Sequence, residues 1–207
     1  PLLRAGLEML HPKLGVVPNA LEVAEDLLKA IPAVADDAFG EVIARYARSQ
    51  ATSVAVLATN ALPKVWGQRS RALLIALLGH PEDTVSVAAL SKLRELGALD
   101  EHIVRKLEPI IIGSLPVRTP MRVASGEALA FVAPDAIPAA RKLLIQGLSA
   151  TVGNTPDAED LTVCYASSLL AIGGDGAAVV LRWKTATTWL RTRLEAVMRR
   201  YPHLRTS

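Results

Sequence analysis

One pattern of apolar and small residues recurs five times along the chain, most clearly over residues 85–97 and 121–133. Each copy combines an apolar start, a pair of small residues, a leucine and a closing apolar position. Weaker copies begin at Val54, Leu161 and Leu190, so that successive starts lie 31, 36, 40 and 29 residues apart. Apolar residues three and four positions apart share one face of a helix. The pattern therefore predicts amphipathic helices, repeated at an interval typical of helical-repeat proteins.

Turn residues between these segments set the predicted helix boundaries. No stretch alternates apolar and polar residues for long enough to predict a β-strand, so we predict an all-α fold. The longest break between helix pairs falls at residues 151–157. We expect six antiparallel helix pairs, formed by helices at residues 2–10, 19–31, 35–49, 51–66, 68–79, 82–96, 100–113, 119–133, 136–150, 158–173, 176–185 and 186–201.

Three of the predicted helix starts carry residues that cap free backbone amides. Asn19 followed by Glu22 has the spacing of a capping box, in which each side chain accepts an amide of the first turn. Thr119 and Thr155 each precede a proline. A hydroxyl before a proline suits a helix start, because the first helical residue needs no amide hydrogen.

The repeated pattern resembles that of the HEAT-repeat family over about residues 36–202. The small-residue pairs and the small–leucine steps carry the resemblance, and Arg122 and Arg191 fill its arginine-like position. The copy at Val54 departs from the family because Pro63 stands late in its helix, and the copy at Leu190 departs because Arg193 occupies a usually small position. Atypical copies are expected at the ends of a repeat array.

The resemblance implies an α-α superhelix of antiparallel helix pairs in a single domain spanning residues 1–207. Within it we expect an N-terminal capping pair at 1–34, core repeats at 35–173 and a basic C-terminal capping pair at 174–207. Because the chain does not begin with methionine, we also expect it to be a fragment or a processed form of a longer protein.

The composition agrees with thin helical layers. The chain is 51% hydrophobic but only 4% aromatic, so alanine and the aliphatic residues must form most of the core. Small residues on facing helices allow the backbones to approach closely, and we expect Ala124 to occupy such an inner position. No uninterrupted apolar run approaches the ~20 residues of a membrane-spanning helix. The single cysteine excludes an internal disulfide and is compatible with a cytoplasmic location.

Positive charge is concentrated at the C-terminal end. Residues 176–207 carry seven basic side chains against Glu195 alone, a net charge of +6 that leaves −3 for the rest of the chain. A basic end of this kind either binds an anion, such as a phosphate backbone or an acidic partner, or keeps the outer face of a terminal helix in water. The candidate anion-binding residues are Arg182, Lys184, Arg199 and Arg200.

Two tryptophans alternate with the basic residues of this segment. Trp183 and Trp189 could stack on nucleic-acid bases or form cation–π contacts with neighbouring arginines. Both tryptophans also fall at the junction of two predicted helices, where a large residue often seals an apolar end. The sequence leaves both interpretations open.

Candidate catalytic chemistry is scarce. Cys164 occupies a small-residue position and is expected to be a buried, unreactive thiol. The four histidines do not form a metal-binding spacing, and the glycines at residues 173–176 lack the lysine of a phosphate-binding loop. We therefore expect no enzymatic activity, no metal and no cofactor. Two enzyme classes built on HEAT-like repeats, alkylpurine glycosylases and phycobilin lyases, need aromatic and acidic pockets that this sequence does not indicate.

The HEAT resemblance implies a scaffold that binds a protein or peptide partner. In that family the second helix of each pair lines the concave face, and its polar residues either contact the partner or join neighbouring repeats. Nucleic-acid binding through the basic C-terminal pair is the first alternative, and a regulatory or assembly segment of a larger enzyme is the second. The residues implied to bind the partner are Lys92, Arg94, Arg122, Glu127, Arg191, Arg193 and Glu195.

Overall fold

The computed structural model describes residues 2–14, 16–17, 19–31, 37–151, 153, 155–174 and 176–201. These residues form α-helices, short 3-10 turns and connecting loops, with no β-strand among them. The all-helical prediction is confirmed, and each predicted helix has a counterpart. The helices are α1 (Leu2–Leu10), α2 (Ala20–Lys29), α3 (Asp37–Ala47), α4 (Thr52–Trp66), α5 (Arg71–Leu77), α6 (Asp83–Glu95), α7 (Glu101–Ile111), α8 (Thr119–Ala128), α9 (Ile137–Ala150), α10 (Pro156–Ala171), α11 (Ala177–Lys184) and α12 (Thr188–Arg199).

The predicted helix caps are confirmed only in part. The hydroxyl of Thr155 accepts the backbone N–H of Ala158 and caps α10, as expected. The capping box at Asn19 is wrong, because Asn19 adopts a left-handed conformation with φ 65° and its side chain does not cap α2. The hydroxyl of Thr119 is also not a cap, since it lies one residue inside α8 and donates to Asp157 on α10 at 3.0 Å.

The chain divides into two compact units, Pro1–Leu96 and Gly97–Ser207. In the first unit, α1 packs against α2, α3 against α4, and α5 against α6. Further contacts join α1 to α3, α2 to α4 and α4 to α6. The hydroxyl of Tyr46, near the end of α3, donates to the carbonyl of Leu7, near the end of α1, at 2.6 Å. This bond therefore holds α3 against α1.

In the second unit, the pairs α7–α8, α9–α10 and α11–α12 are also in contact. In addition, α9 packs against both α7 and α11, and α10 packs against both α8 and α12. Thr119 at the start of α8 bonds to Asp157 on the first turn of α10. Thr187, the cap of α12, donates to Glu159 on the same turn of α10 at 2.8 Å. The starts of α8, α10 and α12 thus lie together, so these three helices run in one direction.

Side chains from neighbouring helices occupy several helix C-termini. Arg122 on α8 donates to the carbonyl of Ile111 at the end of α7, at 3.1 Å. Arg141 on α9 donates twice to the carbonyl of Ile172 at the end of α10, at 3.1 and 2.7 Å. The last carbonyls of a helix have no partner within the helix and carry partial negative charge, so a guanidinium both bonds and neutralises them. These arginines therefore fix each helix end to its neighbour.

The core of the second unit is organised around Tyr165 on α10, whose side chain is fully buried. Its ring packs on Gly126 of α8 and Gly147 of α9, and a Cβ atom on these glycines would lie 2.6 and 3.0 Å from the ring. Gly126 therefore occupies the inner small position that the sequence analysis assigns to Ala124. That assignment is wrong, because Ala124 is only half-buried whereas Gly126 is buried.

Substitution of Gly126 tests this packing. We expect Gly126→Ala to lower the free energy of unfolding by about 1–3 kcal/mol, because the buried ring of Tyr165 has no room to move away from the new methyl group. Alanine has the better helix propensity, so an unstrained site would show the opposite sign. Urea unfolding followed by circular dichroism measures the change.

The matched control for this change is Gly79→Ala. Gly79 is exposed, and a Cβ atom there would meet nothing closer than 3.8 Å. We expect this variant to unfold at the urea concentration of the wild type or slightly above it. Equal stability of the two glycine variants would contradict the packing of Tyr165 on Gly126.

Substitution of Arg141 tests the capping of helix ends. Arg141→Ala removes both hydrogen bonds to the Ile172 carbonyl, and we expect a loss of about 1–2 kcal/mol of unfolding free energy. Arg105→Ala is the control, since Arg105 is exposed and pairs with Glu101 one turn away on its own helix. Arg105→Ala should leave the unfolding midpoint nearly unchanged. A midpoint for Arg141→Ala equal to that of Arg105→Ala would show that the cap contributes no stability.

Candidate functional site

The predicted partner-binding residues are distributed over three helices in two units. Lys92 and Arg94 lie on α6 in the first unit. Lys92 bonds to Glu95 one turn further on, at 2.8 Å, while Arg94 is exposed. Arg122 and Glu127 lie on α8 of the second unit, and Arg191, Arg193 and Glu195 lie on α12. On α12 the structure brings Arg191 and Glu195 together at Trp183, whereas Arg193 contacts Trp189 and Asp160.

Arg122 is committed to the packing of its own unit. Its guanidinium donates to Ile111, and the hydroxyl of Tyr165 donates to the same carbonyl at 3.4 Å. Burial raises the pKa of Tyr165 to about 12, and the adjacent positive charge of Arg122 acts in the opposite direction. A side chain enclosed in this way joins helices. Of the two roles that the sequence leaves open, the contacts of Arg122 favour the structural one.

Glu127, by contrast, is exposed on α8. Its negative charge acts on the half-buried thiol of Cys164 on α10 and disfavours the thiolate. Two effects raise the pKa of this thiol to about 12, first burial and then the charge of Glu127. The Cys164 Sγ lies 3.4 Å from the carbonyl of Val123, to which it donates. Because only the thiolate is an effective nucleophile, Cys164 is not equipped for covalent catalysis at neutral pH.

The C-terminal helix pair carries the densest group of aromatic and basic side chains. Trp183 near the end of α11 is half-buried, and its indole N–H donates to Glu195 on α12 at 3.2 Å. The guanidinium of Arg191 lies 5.1 Å from the centre of the Trp183 ring. Trp183, Arg191 and Glu195 thus connect α11 to α12.

Trp189, at the second position of α12, has a different environment. Its side chain is 53% exposed, although tryptophan is the largest apolar residue. Arg193 lies over its ring at 4.5 Å, and the same guanidinium forms an ion pair with Asp160 on α10 at 2.5 Å. Asp160 therefore fixes Arg193, which in turn supports one face of Trp189 while much of the ring remains in solvent.

Further apolar and basic side chains adjoin Trp189 along the chain. Leu181 on α11 is 66% exposed. Arg182 does not belong to this accessible set, because it donates to the carbonyl of Thr151 at 3.0 Å and its Nε atom is buried. We call the exposed residues of this helix pair the α11–α12 surface. It comprises Leu181, Lys184, Trp189, Arg191, Arg199 and Arg200.

The four predicted anion-binding residues thus differ in accessibility. Lys184, Arg199 and Arg200 are exposed on the α11–α12 surface, while Arg182 is occupied at the end of α9. Glu195 lies 3.9 Å from Arg199 and removes part of the local positive charge. Sequence analysis did not identify Asp160 or Thr187, because both lie near helix starts that carry no distinctive motif. Only the tertiary fold joins Asp160 to Arg193 on α12 and Thr187 to Glu159 on α10.

No group of three or more histidine, cysteine, aspartate or glutamate side chains in the described ranges could hold a metal ion. In the same part of the chain, no helix combines the length and the apolar character needed to cross a membrane.

Comparison of the chain with models of protein families, with curated proteins and with solved structures finds no match to any of them. The functional interpretation therefore depends on the helix packing and on the chemistry of the exposed side chains. The α11–α12 surface is the strongest candidate site, because it combines an exposed tryptophan with exposed basic side chains.

The environment of Cys164 leads to a test by chemical labelling. At pH 8 the raised pKa leaves about 1,000-fold less thiolate in the folded protein than an ordinary thiol with a pKa of 9.0 would have. We expect iodoacetamide to modify native Cys164 at least 100-fold more slowly than the urea-unfolded chain. Mass spectrometry at successive times gives both rates, and equal rates would contradict the buried environment.

The same thiol makes a contribution to alkaline stability with a definite sign. The folded pKa lies above the unfolded one, so the contribution is complete below pH 9 and is lost as the pH rises towards about 12. Unfolding free energy should therefore fall over this range. The fall should be smaller in Cys164→Ser, since serine does not titrate there.

Proposed function

We propose that this protein is a HEAT-like helical-repeat scaffold that binds a protein partner. Its support in the second unit is the order of helix contacts: α7, α9 and α11 pack in one series, and α8, α10 and α12 pack in another. Stacked helix pairs in a repeat protein contact one another in this order. The first unit has the corresponding series α2, α4 and α6.

The observation that carries the binding proposal is the exposure of Trp189. Burying a tryptophan side chain contributes more to association than burying most other side chains, and interface hot spots are enriched in tryptophan and arginine. Here Arg193 and Asp160 hold the ring from one side. A partner therefore meets an aromatic group whose position is already fixed, so less conformational entropy is lost on binding.

The charge of the α11–α12 surface specifies the kind of partner. Lys184, Arg191, Arg199 and Arg200 are exposed on the same helix pair as these apolar side chains, and Glu195 is the only acidic residue of α12. Such a surface attracts carboxylates and repels basic segments. We therefore propose an acidic peptide segment with an apolar or aromatic anchor, which packs on Trp189 and Leu181.

Nucleic-acid binding is the second candidate, and the same exposed ring favours it. A base can stack on the free face of Trp189 while Arg191 and Lys184 contact phosphates. The modest net charge of this end and the ion pair of Arg193 with Asp160 weaken this candidate. The two candidates differ in their dependence on salt, which makes them separable.

The experiment measures binding of two probes to the whole chain by fluorescence anisotropy. One probe is a 15-residue peptide of aspartate and glutamate with two leucines and one phenylalanine, and the other is a 15-nucleotide single strand of thymidine. We expect the peptide to bind, and Trp189→Ala to weaken it about 30-fold, the effect typical of a hot-spot residue. Arg191→Glu should also weaken it, since it reverses a charge on the surface.

Phe131→Ala is the matched control, because Phe131 is an exposed aromatic of the same unit, 59% accessible, away from α11 and α12 in sequence. This variant should bind the peptide like the wild type. Thymidine binding with a steep salt dependence, lost in Trp189→Ala, would favour nucleic acid instead. Binding of neither probe, or equal weakening by both aromatic substitutions, would contradict the proposal.

A further inference from the structure

A second feature of the molecule lies in the first unit and is independent of the α11–α12 surface. An open pocket of ≈ 610 Å³ lies where the 3-10 turn that follows α1, the end of α3 and the start of α4 meet. None of the described residues that line it is acidic. The lining consists of His11, Leu14, Arg45, Arg48, Ser49, Gln50 and Ala51.

The positive charge of this pocket comes from the end of α3. Arg45 lies in the last turn of α3 and Arg48 in the turn that follows, three residues later, so both belong to one side of the helix. Both side chains are exposed. Like charges at this spacing repel each other, and an anion between them removes the repulsion. The guanidinium group suits phosphate because it can donate two parallel hydrogen bonds.

His11, another lining residue, is held in place by the buried side chain of Tyr46 on α3. The hydroxyl of Tyr46 donates to Leu7, and the Tyr46 ring meets the imidazole of His11 edge to face, with centroids 5.0 Å apart. Tyr46 is fully buried, and burial raises its pKa to about 12, so it remains an uncharged donor. His11 is thereby fixed against α3 and contributes a further nitrogen donor or acceptor to the pocket.

The start of α4 supplies a third source of positive potential. Ala51 is the residue that precedes α4, and no side chain caps this end of the 15-residue helix. The hydroxyl of Ser49 accepts the N–H of Ala51 at 3.2 Å, which shapes the turn between α3 and α4. The amides of a helix start carry partial positive charge and attract anions.

We propose that this pocket binds the phosphate group of a small phosphate ester. Arg45, Arg48 and His11 hold the phosphate, and Leu14 and Ala51 contact the carbon part of the ligand. The volume exceeds that of a phosphate ion and lies within the ~300–1,000 Å³ typical of small-molecule sites. The size of the pocket and its apolar lining residues Leu14 and Ala51 therefore match a phosphate ester better than the free phosphate ion.

Isothermal titration calorimetry on the whole chain tests this site with adenosine monophosphate, inorganic phosphate and adenosine at ~150 mM salt, a concentration that screens surface charges. We expect saturable binding of the monophosphate, weaker binding of inorganic phosphate, and no binding of adenosine. Arg45→Ala and Arg48→Ala should each weaken the monophosphate at least 10-fold. Because both side chains are exposed, the variants should keep the wild-type melting temperature.

Lys64→Ala is the matched control, since it removes one exposed positive charge from α4 of the same unit, away from the pocket lining. It should bind the monophosphate like the wild type, as should Trp189→Ala. Absence of monophosphate binding, or equal weakening by Lys64→Ala, would overturn the site. Inorganic phosphate binding as tightly as the ester would overturn the assignment of an ester ligand.

Discussion

The second unit depends on the close approach of one aromatic ring to two glycines. Tyr165 on α10 is fully buried between Gly126 of α8 and Gly147 of α9, and its hydroxyl reaches Ile111 at the end of α7. One side chain therefore contacts three other helices at once. A chain with few aromatic residues cannot build a thick core, but a ring set against glycine backbones brings several thin layers into contact.

The arginines add a polar constraint to this packing. A helix end in a stack of short helices lies against its neighbour, where water has limited access to the final carbonyl groups. Arg122 and Arg141 each satisfy such a group on another helix. Of these two arginines, Arg122 fills the arginine-like position of the repeated pattern, and its contact joins α8 to the end of α7.

The boundaries of the helices could be predicted from sequence because they depend on periodicity and on turn residues close to one another in the chain. The same logic identified Thr155 as a cap but failed at Asn19, whose left-handed backbone turns the side chain away from that role. The pattern assigned the inner small position to Ala124, whereas Gly126, at a position that the pattern leaves unspecified, is the residue that meets the buried ring. Only the location of Tyr165, 39 residues beyond Gly126, decides between them. The support of Trp189 by Arg193 and Asp160 is likewise a product of tertiary contacts.

The two tryptophans of the C-terminal pair show how a sealing role and a binding role can be separated. Both stand at helix junctions with arginines nearby, and sequence alone treats them alike. In the structure, Trp183 is half-buried, and its indole N–H donates to Glu195 and so joins α11 to α12. Trp189 has one face covered by Arg193, and more than half of its side chain is exposed. Trp183 is thus used within the helix pair, whereas Trp189 leaves much of its apolar surface in solvent. A partner that covers its free face would bury that apolar area and would meet a ring already held by an ion pair.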